Sequence, residues 1–162
     1  MEIERKFLVK YVPENVSRYE HKELSQGYIY TLPVIRIRKS DDEYFLTVKS
    51  EGLLERQEFE INISEKVFND LSLKCDGNII SKTRYRIPLE GGLTAELDIF
   101  HGVFEGLMYV EVEFSSVEEA ERFTAPDYFG RDVTQFEQYQ NSSLSMMNME
   151  QIKELLDSVK RK

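Results

Sequence analysis

Apolar and polar residues alternate with period two through most of the first two-thirds of the chain, in short runs broken by turn-forming residues. Side chains two apart share one face of a strand, so this pattern predicts an antiparallel sheet or barrel. Strands are expected near 2–9, 25–31, 34–38, 44–50, 55–63, 79–87, 94–100 and 108–114. Ser40, Asp41 and Asp42 suit a hairpin connection between the third and fourth runs, and Gly91 and Gly92 suit one between the sixth and seventh. Sequential strands are therefore expected to pair.

Helical spacing interrupts the alternation. Ser64 can cap a helix that turns Val67, Phe68 and Leu71 inward and stops near Gly77. Ser116 and Glu119 form a capping box for a second helix ending before Pro126. Ile152, Leu155, Leu156 and Val159 define the apolar face of a last helix, packed outside the sheet, and a short helix follows Pro13. Residues 125–142 carry no clear period. Met146, Met147 and Met149 read as core filler, and Ser142, Ser143 and Ser145 as a loop or helix start.

The unusual feature is the polar face. Glu2, Glu4 and Lys6 share a side of the first strand, with Arg5 breaking the apolar row opposite. Arg36 with Arg38, Glu58 with Glu60, Lys82 with Arg84 and Arg86, Glu96 with Asp98, and Glu111 with Glu113 repeat the arrangement, and Lys49 and Arg56 complete it. One such doublet reads as the solvated face of a half-exposed sheet. Charged residues are poor strand formers, however, and same-sign doublets on strand after strand point to a shared interior holding both signs. Buried ions must be paired with each other or with ligands. Carboxylates suit a hard cation such as Mg²⁺ or Mn²⁺, and lysines and arginines suit phosphate, so a polyphosphate would use both.

The rest of the composition narrows the setting. A length of 162 residues, 41% hydrophobic, fits one domain spanning 1–162. A net charge of -9 argues against nucleic acid or anionic membrane as a partner held by bulk electrostatics. Cys75, the only cysteine, excludes an intramolecular disulfide and a cysteine zinc site, and reads as a buried thiol. With no apolar leader and no stretch of membrane length, a soluble cytoplasmic protein is expected. His21 and His101 have no metal spacing. Tyr28 and Tyr30 could each face a ligand or the core.

Glu2-Ile3-Glu4-Arg5-Lys6 resembles the ExExK mark of the triphosphate tunnel metalloenzymes, the CYTH superfamily. The likeness continues through Arg36 and Arg38, Thr47-Val48-Lys49, Glu58 and Glu60, Lys82 with Arg84, and Glu111 with Glu113. It implies an α+β fold: an eight-stranded antiparallel β-barrel, or tunnel, with a charged lumen and helices outside. It implies hydrolysis of a small-molecule triphosphate, inorganic tripolyphosphate or a nucleoside triphosphate, with release of orthophosphate and with Mg²⁺ or Mn²⁺. Glu2, Glu4 and Glu113 would be metal ligands. Glu111, Glu58 and Glu60 would be second-site or water-activating groups, with Glu4 and Lys6 also in the catalytic set. Lys6, Arg36, Arg38, Lys49, Lys82 and Arg84 would hold phosphates. Asp132-Val133-Thr134, with Tyr139 and Asn141, is similar to the family's closing region. The shared motifs leave adenylate cyclase, thiamine triphosphatase and a non-catalytic polyphosphate-binding module as alternatives, and they leave the oligomeric state open, a homodimer included.

Overall fold

A computed structural model describes residues 1–160. Its strands are β1 (Glu2–Val9), β2 (Glu20–Thr31), β3 (Val34–Ser40), β4 (Glu43–Lys49), β5 (Glu55–Arg56), β6 (Glu58–Asn62), β7 (Asp76–Pro88), β8 (Thr94–Phe100), β9 (Met108–Glu113) and β10 (Phe129–Asp132). They pair antiparallel in the order β10-β1-β9-β8-β7-β2-β3-β4-β6, and β5 pairs β1. Since β5 and β6 are two halves of the single run expected at 55–63, their pairing with β1 and β4 brings the ends of the sheet together. The result is a nearly closed barrel of eight staves.

Two staves are longer than the alternation suggests. β2 begins at Glu20 and β7 at Asp76 because they pair with each other over that whole length, from Glu20 opposite Arg86 to Tyr28 opposite Asp76. β10 is an additional strand in the segment without a period. β5 covers only Glu2 and Ile3 of β1, and β10 takes the same edge further on, at Phe7 and Val9. Phe129 anchors it, its ring 5.0 Å from that of Phe7 and 6.0 Å from that of Phe123.

Four helices accompany the barrel: α1 (Glu65–Ser72), α2 (Val117–Arg122), α3 (Asn141–Ser145) and α4 (Met149–Lys160). Ser64 and Ser116 cap α1 and α2 by accepting from the amides of Val67 and Glu119. The segment after Pro13 forms only a 3-10 turn, Val16–Arg18. No helix among the described residues is long and apolar enough to cross a membrane.

Several side chains depart from expectation. α1 buries none of its residues; Val67 is exposed, while Phe68 and Leu71 are half-buried, because the helix rests mainly on β3 and β4, where Phe68 packs against Tyr44. Met146 and Met149 are exposed, and of the three methionines only Met147 packs against the core. Tyr30 is exposed and Tyr28 buried. Cys75 is half-buried rather than enclosed.

The lumen face changes character along the barrel. Beyond the charged positions the same side of the strands carries Leu8, Tyr28, Val34, Ile80, Phe100 and Tyr109. These join Leu144 of α3 and Ile152 and Leu155 of α4 in one buried cluster. That end of the barrel is packed solid, and the charges line what remains. A second cluster, including Ile3, Phe7, Leu97, Val110 and Val112, lies on the outer face and is covered by Ala120 of α2 and by Phe129.

Gly77, where α1 was expected to stop, instead lets α3 approach β7. Its φ is +78°, and a Cβ there would run into the carbonyl oxygen of Ser145. Gly77→Ala is expected to lower stability by about 1–3 kcal/mol. Thermal or denaturant unfolding checks this, and a wild-type midpoint would contradict it.

Candidate active site

The charged ladders meet in a cavity of about 230 Å³. Drug-sized ligands occupy pockets of about 300–1,000 Å³ lined mostly by apolar side chains, so a cavity this small and this charged suits a compact polyanion. Among the described residues, Glu2, Glu4, Glu58, Glu60, Glu96, Glu111 and Glu113 line it, against Lys6, Arg36, Arg38, Lys49, Arg56 and Arg84. Strand register explains the convergence: on β1 and β9, Glu4 stands opposite Glu113 and Lys6 opposite Glu111. On β4 and β6, Lys49 stands opposite Glu58 and Thr47 opposite Glu60.

Most of the wall is paired. Lys49 Nζ lies 3.0 Å from Glu2 and 3.5 Å from Glu58, and Arg56 Nε lies 3.4 Å from Glu2. Lys6 Nζ lies 3.5 Å from Glu111 and donates to the Tyr139 carbonyl at 3.1 Å, above the ring of Tyr109. Arg84 grips Asp98 with two bonds of 2.7 and 2.8 Å and reaches Glu111 at 3.1 Å. By contrast, Arg36 and Arg38 have no carboxylate within ion-pair distance among the described residues. Neither do Glu4, Glu60 and Glu113 have a cation.

These contacts set the titration of the wall. Burial, then the charges of Glu111 and Glu2, push Glu4 well above the usual carboxylate range. Burial also tends to raise Glu111, but Lys6, Arg84 and Lys82, with a hydrogen bond from Glu4, hold it well below. The two carboxylates are thus pushed in opposite directions, as expected where like charges crowd a site. Burial raises Glu113 too, helped by Glu2 and Glu58. Glu2 goes the other way: burial is outweighed by Lys49 and Arg56. Arg38 is pushed down to about 9 by burial and then by Arg36 and Arg84.

Not every expected site residue reaches the cavity. Lys82 is fully buried behind the wall, bonded to Asp98 Oδ2 at 2.8 Å and to Asn141 Oδ1 at 3.1 Å. It sits one step further along β7 than Arg84, beside Phe100, where the lumen turns apolar. Glu58, Glu60 and Glu113 line the cavity but are exposed, so they stand at its mouth. His21 and His101 take no part: His101 bonds Thr83 and His21 stacks on Tyr85, and neither lines the cavity.

The sequence reading missed the floor. Gln140, Asn141 and Ser142 line the cavity from the start of α3. Only Asn141 carried a signal, as part of the closing region. That region docks through the backbone of Lys6, whose carbonyl accepts from Val133 N and whose N–H donates to Thr134 Oγ1. Arg5, the charge that broke the outer row, pairs with Asp132 at 2.7 Å and lies over the Phe7 and Phe123 rings.

An antiparallel barrel whose lumen sets guanidiniums without ion-pair partners against carboxylates without them, among the described residues, defines a class: a protein built to hold a small polyanion. Comparison with known proteins agrees. The CYTH domain profile matches residues 1–145. The inorganic triphosphatase of Nitrosomonas europaea is 43% identical over 149 residues, covering 90% of this chain and 97% of that protein. The inorganic triphosphatase of Acetivibrio thermocellus is 35% identical over 153 residues, covering 88% and 92%. A crystal structure of an inorganic triphosphatase superposes with a TM-score of 0.69 at 40% identity, over 91% of this chain and 96% of that one. The chain belongs to the CYTH family.

Proposed function

We propose that this barrel hydrolyses triphosphates, inorganic tripolyphosphate foremost, releasing orthophosphate with Mg²⁺ or Mn²⁺. The observation that carries this reading is the pair Arg36 and Arg38, two uncompensated guanidiniums facing carboxylates that lack cations across one small cavity. The two inorganic triphosphatases that match nearly the whole chain support the choice of substrate.

The donor chemistry fits a hard divalent cation. Burial and neighbouring carboxylates push both Glu4 and Glu113 up; a cation would act against both shifts. Among the described residues no three acidic or imidazole groups are already gathered at metal-binding distance. Mg²⁺ commonly takes one or two carboxylates and keeps its waters, so Glu4 and Glu113, with Glu2, are a sufficient set. When bound, such an ion neutralises phosphate charge and polarises the phosphoryl group.

The chain's own residues do the rest. Arg36 and Arg38 bind phosphate oxygens through free N–H donors, and Lys6, Lys49 and Arg84 add charge from the flanks. Glu111, fixed by Lys6 and Arg84, orients those cations and is a poor proton acceptor. Glu60, at the mouth with no ion-pair partner among the described residues, is the better candidate to take a proton from attacking water, with Glu58 beside it. Positioning and electrostatics carry phosphoryl transfer without a protein nucleophile. The reading has the protein acting on a small molecule in the cytoplasm, without nucleic acid or membrane.

Purified protein offered tripolyphosphate, ATP and thiamine triphosphate in turn should release orthophosphate, fastest from tripolyphosphate. Cyclic AMP with pyrophosphate from ATP would make it a cyclase instead. Binding of all three without turnover would make it a polyphosphate-binding module. Preference for thiamine triphosphate would move the substrate.

A further inference from the structure

Among the described residues, all but two of the cavity's cations are paired with a carboxylate, and register shows how. Glu111 sits directly opposite Lys6 across β1 and β9, and Asp98 opposite Arg84 across β7 and β8. The residues in the equivalent positions beside Arg38 and Arg36 are Gln26 and Thr47. Both are buried, Gln26 at 1% and Thr47 at 0% exposure, and both offer a neutral oxygen. Arg38 Nε donates to Gln26 Oε1 at 2.8 Å, and Arg36 Nη2 donates to Thr47 Oγ1 at 3.1 Å. Gln26 is itself held, its Nε2 donating to the hydroxyl of Tyr28 at 3.0 Å. Arg36 Nε is buried with no partner, a donor left open in a cationic pocket.

A carboxylate would hold each guanidinium more strongly than an amide or hydroxyl does, because it adds the attraction of an opposite full charge to the hydrogen bond. It would also cancel the charge that a phosphate must meet. We propose that Gln26 and Thr47 are positioning residues of substrate recognition: each fixes one arginine through a single N–H while leaving its charge and other donors for the substrate's phosphates. A guanidinium has five N–H donors, so one spent on orientation leaves four. The inference rests on the cavity being the triphosphate site and adds that the neutrality of these two neighbours sets its affinity.

The test is Gln26→Glu, nearly isosteric, assayed with tripolyphosphate beside Gln26→Leu and Arg38→Ala. Glutamate keeps an acceptor for Arg38, and the Tyr28 hydroxyl can turn to donate to it, so a purely structural need for that hydrogen bond is met. KM should rise about tenfold or more in Gln26→Glu, the cost of withdrawing one charged contact, with a much smaller change in kcat and no loss of thermal stability. Gln26→Leu should raise KM less and lower the unfolding midpoint. If Arg38→Ala raises KM and Gln26→Glu leaves it at the wild-type value, the positioning role is overturned while the substrate reading stands. If Arg38→Ala itself leaves KM unchanged, the reading of the cavity wall has failed. Should Gln26→Glu not fold, Thr47→Asp poses the same question at Arg36, and Thr47→Val, with a wild-type unfolding midpoint, isolates the orienting bond: a raised KM in either supports the role, and an unchanged KM in both overturns it.

Discussion

Glu4→Gln is expected to lower tripolyphosphate turnover about 10²-fold or more while the barrel folds normally. That is the usual scale for removing one group that meets charge in a transition state. Glu4 has no cation within ion-pair distance among the described residues, and burial with the charges of Glu111 and Glu2 holds it well above the usual carboxylate range. The same change tests its electrostatics without metal. A carboxyl raised on folding contributes stability that is fully present below the unfolded glutamate value and is lost as pH rises through the folded one. Glutamine does not titrate, so the metal-free variant should become more stable than wild type as pH climbs through that window. Thermal unfolding across pH reads this directly. A variant with near wild-type turnover would remove Glu4 from the ligand set, and a stability difference independent of pH would refute the crowding.

The second large effect is on stability. Asp98 is fully buried and joins Lys82 to Arg84. Burial tends to raise its pKa, but Arg84 and Lys82 hold it below the ordinary value. Lys82, pushed down to about 7 by burial, has Asp98 as its one carboxylate partner among the described residues. Asp98→Asn leaves buried Lys82 without a carboxylate partner among the described residues while Arg84 keeps Glu111 and Glu96, a change that costs about 3 kcal/mol or more. The sign against pH follows from the lowered carboxyl: its contribution is present above the unfolded aspartate value and lost as pH falls through the folded one. The variant's deficit should therefore be largest between the ordinary aspartate value and about 7, where Asp98 and Lys82 are both charged, and shrink as pH falls below that range. Denaturant unfolding at two pH values checks both, and a deficit below about 1 kcal/mol, the scale of a surface pair, would contradict the pairing.

The eight staves were legible because period-two alternation fixes which side of a strand each residue faces, and same-sign doublets distinguish a shared interior from a solvated face. Depth along the barrel was not legible. Lys82 lies on the same face as Arg84, yet it stands where the lumen gives way to Ile80, Phe100 and Tyr109, so the face was right and the cavity wall was not. Nor could periodicity place 125–142. β10 exists because β5 leaves most of the β1 edge free, and the floor residues Gln140, Asn141 and Ser142 are positioned by tertiary bonds such as Lys6 to the Tyr139 carbonyl. Val67 failed for a related reason: helical spacing shows an apolar stripe but not whether anything covers it.

A metal-dependent triphosphatase needs the two poles of this cavity to work together. The direct measurement is orthophosphate release from tripolyphosphate by the wild-type protein, before and after removal of divalent cations with chelator and again after Mg²⁺ or Mn²⁺ is restored. The account predicts release that stops with chelator and returns with the metal. Undiminished release in chelator would contradict it, leaving the carboxylate wall without its assigned part.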